Sequence, residues 1–168
     1  MLPRYSLIIP AYNEERLLGR LLDSADAARA TYGCGGAIEV IVANNASTDR
    51  TAAIAAPRGC RVILVERRII AAVRNAGARA ARGAVLAFVD ADAQVHPETF
   101  LEIDRTLADP RVVAGATGAR LERWSTGIAL TYTMIIPIVF LAQATSATVR
   151  TRFLSIEVPM VALLLSRK

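Results

Sequence analysis

Short, continuously apolar runs alternate with stretches of helical periodicity along the first two thirds of the chain, and this alternation limits the fold more than any other feature. Strand-length runs separated by helix-length patterns build βαβ units, and therefore a mainly parallel sheet with helices packed on it. Tyr5–Pro10, Ile38–Ala43, Arg61–Val65 and Ala84–Val89 read as four strands, with a fifth over Val112–Ala116. The first and fourth are apolar almost throughout, as strands buried on both faces are. After the first strand, Leu17, Leu18, Leu21, Leu22, Ala25 and Ala28 recur at the spacing of one helix face. Asn13 is the expected cap of that helix, with Glu14 and Glu15 in its first turn, where carboxylates meet the positive end of the helix dipole. Ser47 or Asp49 caps a short helix after the second strand. Ile70–Arg82 reads as a helix stopped by Gly83, a residue suited to the left-handed position past a helix end. Pro97 stands at the first position of a helix running through Leu107. The expected architecture is a three-layer α/β/α sandwich on a mainly parallel sheet.

A chain of 168 residues can bury a sizeable core without disulfides or structural metal. Its charge is unevenly placed. Residues 1–109 hold thirteen arginines against thirteen carboxylates, whereas residues 110–168 hold seven cations against Glu122 and Glu157, and carry the whole net charge of +5. A neutral first part argues against a nucleic-acid reader, which spreads a basic stripe over its fold. Residues 124–149 contain no charge, but Thr, Tyr, Gln and Pro137 interrupt their apolar character. A membrane span needs about 20 predominantly apolar residues, so this stretch reads as a buried or interfacial helix followed by a basic tail suited to anionic lipid. The expected division is therefore a ligand-binding domain over residues 1–123 and an apolar helix with a basic tail over 124–168. Cys34 and Cys60 are too far apart for a metal knuckle or redox pair and read as reduced thiols. Only Leu7-Ile8-Ile9 precedes Pro10, with no signal-peptide core. Both point to a cytoplasmic protein, with the inner face of the membrane as its place of contact.

Open α/β sheets bind ligands at the carboxyl ends of their strands. Four polar clusters fall at four such ends: Pro10-Ala11-Tyr12-Asn13-Glu14, Asn44-Asn45-Ala46-Ser47-Thr48-Asp49, the stretch Arg67–Arg74, and Asp90-Ala91-Asp92-Ala93-Gln94. Each is a weak signal alone, and their shared edge makes the case. Asp90 and Asp92 flank one small residue, and carboxylates so close repel unless a cation or donors compensate. Oxygen ligands of this kind suit Mg²⁺ or Mn²⁺, which keep several waters and bind diphosphate oxygens beside one or two carboxylates. Arg67 and Arg68 read as solvated, and His96 as a capping or surface residue beside Pro97. The GCGG run at Gly33–Gly36 precedes a strand with no helix after it, the reverse of a dinucleotide-binding fingerprint.

The segment SLIIPAYNEERLLGRLLDS resembles the opening of the family 2 GT-A glycosyltransferases. EVIVANNASTDRT resembles their second-strand signature, and RNAGARAARGAVLAFVDADAQVHPE the stretch ending in their DXD motif. DADAQ is also similar to the metal site of the dolichyl-phosphate mannose synthase branch. The resemblance covers about residues 5–108 and implies transfer of a sugar, with inversion, from a nucleoside diphosphate sugar to a hydroxyl acceptor on a glycan or lipid. It implies that Pro10, Ala11, Tyr12 and Glu14 line the nucleotide pocket, with Asn44 and Ser47 from the second signature. Arg74 falls near a cationic nucleotide contact, Asp90 faces ribose and sugar, and Asp92 and Gln94 hold the metal. For Tyr12, base stacking and simple closure of the strand end stay open. Asn44 and Asn45 depart from the family, where Asp is commoner; an amide donates and accepts, whereas a carboxylate only accepts.

An inverting transfer needs a base to take the acceptor proton, which relatives supply as an Asp downstream of DXD. After Asp109 the sequence holds only Glu122 and Glu157, so the acceptor region reads as truncated. A non-catalytic nucleotide-sugar-binding module is the alternative. A dehalogenase-like phosphatase places DxD after the first strand, and a sugar nucleotidylyltransferase has a Gly-rich loop where this chain has PAYNEE; both disagree with the motif order here.

Overall fold

The computed structural model describes residues 2–33, 35–112 and Gly115. The elements run β1 (Tyr5–Ala11), α1 (Leu18–Tyr32), β2 (Ile38–Asn44), α2 (Thr51–Ala55), β3 (Arg61–Leu64), α3 (Ile70–Ala80), β4 (Val85–Phe88) and α4 (Thr99–Leu107), with single 3₁₀ turns at Gly35–Ala37 and Ala56–Arg58. Among the described residues there are four strands, all parallel, in the order β3-β2-β1-β4. Tyr5 pairs with Ile38 on one side and Val85 on the other, so the first strand lies inside the sheet. The chain winds outward from β1 to β3 and then returns to the opposite side of β1. That reversal opens a crevice above the carboxyl ends of β1 and β4.

Alternate residues of β1 face two separate cores. Tyr5, Leu7, Ile9 and Ala11 pack with Leu18, Leu21, Leu22, Ala25 and Ala28 of α1, Ala55 of α2, and Phe100, Ile103 and Leu107 of α4. Ile8 turns the other way and joins Ile41, Leu86 and Phe88 beneath Ala78 and Ala80 of α3. Three layers result because both sheet faces carry apolar side chains that only a helix can cover. The buried stripe of α1 matches its helical periodicity, except that Leu17 precedes the helix and is exposed.

The amino edge of the sheet is tied by a polar knot. Tyr5 is fully buried, and its hydroxyl donates to Asp104 Oδ1 at 2.6 Å. Tyr32 donates to Oδ2 at 2.7 Å, and Arg4 Nε to Oδ1 at 2.7 Å. Burial pushes the Asp104 carboxyl up, but the bonds from Tyr5, Tyr32 and Arg4 together outweigh it and hold the carboxyl below its usual range. The rings of Tyr5, Tyr32 and Phe100 pack around the knot with centroids 5.1–6.2 Å apart. One carboxylate thus joins β1, α1 and α4.

Several local expectations are corrected. Asn13 does not cap α1; its backbone is left-handed at φ 55°, and its side chain bonds to the loop after β2. The helix begins at Leu18, so Glu14 and Glu15 precede its first turn. The α4 helix begins at Thr99, two residues beyond Pro97, and His96 Nδ1 accepts from Glu98 N at 3.2 Å in the turn before it. Asp49 acts as a cap from one position early, accepting from Thr51 N at 2.9 Å, because Arg50 occupies the cap position. The α3 helix ends at Ala80 with an extended residue, Ala81, so Gly83 is not a left-handed stop. A Cβ on Gly83 would sit 2.6 Å from both Ser6 N and the Tyr5 carbonyl carbon, so glycine is there to let the backbone pass against β1. Cys60 is a free, half-buried thiol. Cys34, most of the expected fifth strand and the whole segment 124–168 lie outside the described residues. Among the described residues no helix is long and apolar enough to cross a membrane.

Gly83→Ala is expected to lower unfolding free energy by about 1–3 kcal/mol through overpacking against backbone. Gly19→Ala, at a site in α1 with open space around it, is expected to cost nothing or to stabilise slightly. Urea denaturation of the two variants checks the contrast.

Candidate functional site

The loops that follow β1 and β2 are laced together before they reach the crevice. Asn45 N donates to Ala11 O at 2.8 Å and so extends the ladder past the strand ends. Asn13 N then donates to Ser47 Oγ at 3.0 Å, while Asn13 Oδ1 accepts from Thr48 N at 2.9 Å. Glu14 N donates to Thr51 Oγ1 at 2.8 Å and Glu15 N to Asp49 Oδ2 at 3.0 Å. Asn13 and Ala46 both adopt positive φ, at 55° and 52°. Asn accepts this conformation readily, whereas Ala does so at some cost, which the surrounding hydrogen bonds offset. For Asp49, desolvation works upward, but the bonds from Thr51 and Glu15 N prevail and hold its carboxyl below the usual range.

Above these loops lies an open cleft of about 360 Å³. Pro10, Ala11, Tyr12 and Glu14 line it from the end of β1, and Asn45 from the end of β2. Ile70, Val73 and Arg74 line it from α3, and Asp90, Ala91 and Asp92 from the end of β4. Its size suits a small organic ligand. Arg74 Nη2 lies 2.6 Å from Asp90 Oδ1, so that carboxylate is neutralised within the protein. Asp92 is exposed and has neither hydrogen bond nor ion pair among the described residues. Burial raises the Glu14 pKa, and the nearby charges of Asp92 and then Asp49 raise it further.

Seven of the ten residues expected at the site meet in this one cleft: Pro10, Ala11, Tyr12, Glu14, Arg74, Asp90 and Asp92. Asn44 does not line it. That side chain is buried, and its Oδ1 accepts from Ser47 N at 3.0 Å, shaping the turn. Ser47 is engaged with Asn13. Gln94 is half-buried outside the lining, next to Val95, whose N–H donates to Ser24 Oγ at 2.9 Å and pins the segment to α1. Ala91, Asn45, Ile70 and Val73 also line the cleft; they lie within the four clusters but were not among the expected site residues. A signal existed for the last two, because positions 70, 73 and 74 share one helical face.

The donor set fits a hard divalent cation of modest protein ligation. Glu14 and Asp92 leave excess negative charge in the cleft, and Arg74 is already paired with Asp90. Among the described residues no group of three or more His, Cys, Asp or Glu side chains is placed to hold a metal.

The parallel sheet, with charged side chains gathered at its switch point, defines an α/β ligand-binding domain of GT-A type. The family model for glycosyl transferase family 2 matches residues 6–150, and the chain belongs to that family. It is 34% identical over 105 residues to the uncharacterized glycosyltransferase EpsJ of Bacillus subtilis (strain 168), covering 60% of this chain and 29% of that protein. Among solved structures, the mannosyltransferase PcManGT from Pyrobaculum calidifontis, in complex with GDP-Man and Mn²⁺, is 31% identical with TM-score 0.59, over 71% of this chain and 36% of that one. Glucosyl-3-phosphoglycerate synthase from Mycobacterium tuberculosis, at 22% identity, shares the fold with TM-score 0.63 over 84% and 51% of the two chains. The chain spans 27–31% of the length of the curated relatives it matches.

The raised Glu14 pKa has a consequence for stability. A carboxyl harder to ionise folded than unfolded weakens the fold once pH rises through its unfolded and then its folded pKa. Glu14→Gln should therefore raise Tm at neutral pH in metal-free buffer, and the gain should shrink on acidification. A thermal melt series from pH 7 down to pH 4 checks both signs.

Proposed function

We propose that this chain is the donor-binding part of a metal-dependent glycosyltransferase. It takes a nucleoside diphosphate sugar and passes the sugar, with inversion, to a hydroxyl acceptor on a glycan or lipid. The observation that carries this reading is the meeting of Glu14, Arg74, Asp90 and Asp92 in one cleft above the β1/β4 switch point. A solved structure that is 31% identical is of a mannosyltransferase in complex with GDP-Man and Mn²⁺, which supports both a nucleotide-sugar donor and a divalent metal.

In this reading Pro10, Ala11 and Tyr12 form the floor and one wall for the nucleoside. Arg74 holds Asp90 in a fixed orientation toward ribose and sugar. Asp92, which has no hydrogen bond or ion pair among the described residues, and Gln94, two residues further on, are the metal ligands. A bound Mg²⁺ or Mn²⁺ supplies positive charge for the departing nucleoside diphosphate. Asn44 and Ser47 act indirectly, by holding the turn that carries Asn45. Residues 1–123 form the donor-binding domain, and the charge-free stretch 124–149 with its basic tail contacts the inner membrane face from the cytoplasm. A second reading is a nucleotide-sugar-binding module without turnover.

Isothermal titration of UDP-, GDP- and dTDP-sugars with and without Mn²⁺ tests the proposal. Binding of at least one donor, strengthened by Mn²⁺, is the expected outcome, and Asp92→Ala should remove the metal dependence. No metal-dependent binding of any donor would sink both readings. Release of free nucleoside diphosphate in the presence of an acceptor hydroxyl separates transferase from binder.

A further inference from the structure

The loop between β3 and α3 is held from outside by one side chain. Asn45 Nδ2 donates to Val65 O at 2.7 Å and to Arg67 O at 3.1 Å. Ile69 N closes back on Arg67 O at 2.8 Å, and Val65 N donates to Asn44 O at 2.8 Å, so both ends of the loop are fixed. The next residue, Arg68, places its guanidinium carbon 5.4 Å from the centroid of the Tyr12 ring, within cation–π range. Tyr12 lines the cleft and is 45% exposed. A side chain just past β2 therefore sets, through the β3–α3 loop, what rests on an aromatic ring just past β1.

Two carbonyl partners fix which end of the Asn45 side chain points at the loop. Only an amide nitrogen can donate to both, and a carboxylate in its place would face two carbonyl oxygens with nothing to give. The family's commoner Asp cannot make this tie.

We propose that Asn45 is a positioning residue for the nucleobase of the donor. It holds residues 65–67 so that Arg68 stacks on Tyr12, and that stack fixes the ring against which the base lies. This rests on the donor-binding reading above, and it makes the β3–α3 loop a structured wall of the cleft. Arg68, expected from sequence to be merely solvated, becomes part of that wall.

The test uses Asn45→Asp, Arg68→Ala and the double variant, each titrated with UDP, GDP and dTDP in Mn²⁺, and with inorganic diphosphate in Mn²⁺ as the base-free probe. Each single variant is expected to weaken the nucleotide that wild type binds by about two- to five-fold, the range of an exposed cation–π contact. Diphosphate binding is expected to stay unchanged. The double variant is expected to lose no more than Asn45→Asp alone, since both act through one stack. Lowering pH is expected to shrink the Asn45→Asp deficit relative to wild type, because a protonated carboxyl regains one donor. Arg68 is exposed, so Arg68→Ala keeps the test open if Asn45→Asp folds poorly. Wild-type affinity in the single variants, additive losses, or equal losses on diphosphate overturn the inference while leaving the donor reading standing. Failure of the wild type to bind any of the three nucleotides overturns both.

Discussion

β1 is hydrogen-bonded along both edges and covered on both faces, and the rest of the molecule takes its position from that strand. All seven of its residues are buried. Paired to β2 over its full length and to β4 over four residues, it can neither shift register nor tilt without breaking both ladders. A one-residue slip would also exchange the two cores, since alternate side chains serve α1 and α4 on one side and α3 on the other. The carboxyl end of β1 is consequently a fixed platform, and Pro10, Ala11 and Tyr12, at and just past that end, line the cleft.

Charge is arranged at the two ends of the sheet in opposite ways. At the amino edge, Asp104 is saturated by two tyrosine hydroxyls and an arginine. At the carboxyl edge, Asp90 has a single arginine, Asp92 has no partner among the described residues, and Glu14 is held close enough to feel the Asp92 charge. The first arrangement lowers a carboxyl pKa and strengthens the fold near neutrality. The second leaves repulsion uncompensated, and the raised pKa of Glu14 is its mark.

Much of this was legible in the sequence because the signals were periodic. All four strands and the helices between them followed from apolar runs and helical spacing, with differences of a few residues at their ends. The edge on which the polar clusters meet followed from strand order. The sequence was less informative wherever one residue type serves several purposes. Asn13 looked like a helix cap because Asn commonly caps, but its side chain was drawn to a loop that lies 35 residues away in sequence. Gly83 looked like a helix stop, whereas its reason is a backbone passing β1, a contact no local pattern encodes. Of two adjacent asparagines, Asn44 was given the pocket that Asn45 lines, because the turn after β2 aims them differently and sequence spacing does not say which is which.

The place of β1 also governs the order in which the chain can become stable. Of the four described strands, the one earliest in sequence needs partners on both sides, and its second partner begins about 80 residues later, Tyr5 lying opposite Val85. The knot at its foot is later still, with Tyr5 waiting for Asp104 across 99 positions. During synthesis β1 can acquire β2 early, yet one edge and one buried hydroxyl remain unsatisfied until β4 and α4 have emerged. Such non-local closure slows folding relative to a meander of neighbours, and it makes the nascent chain dependent on protection of that bare edge.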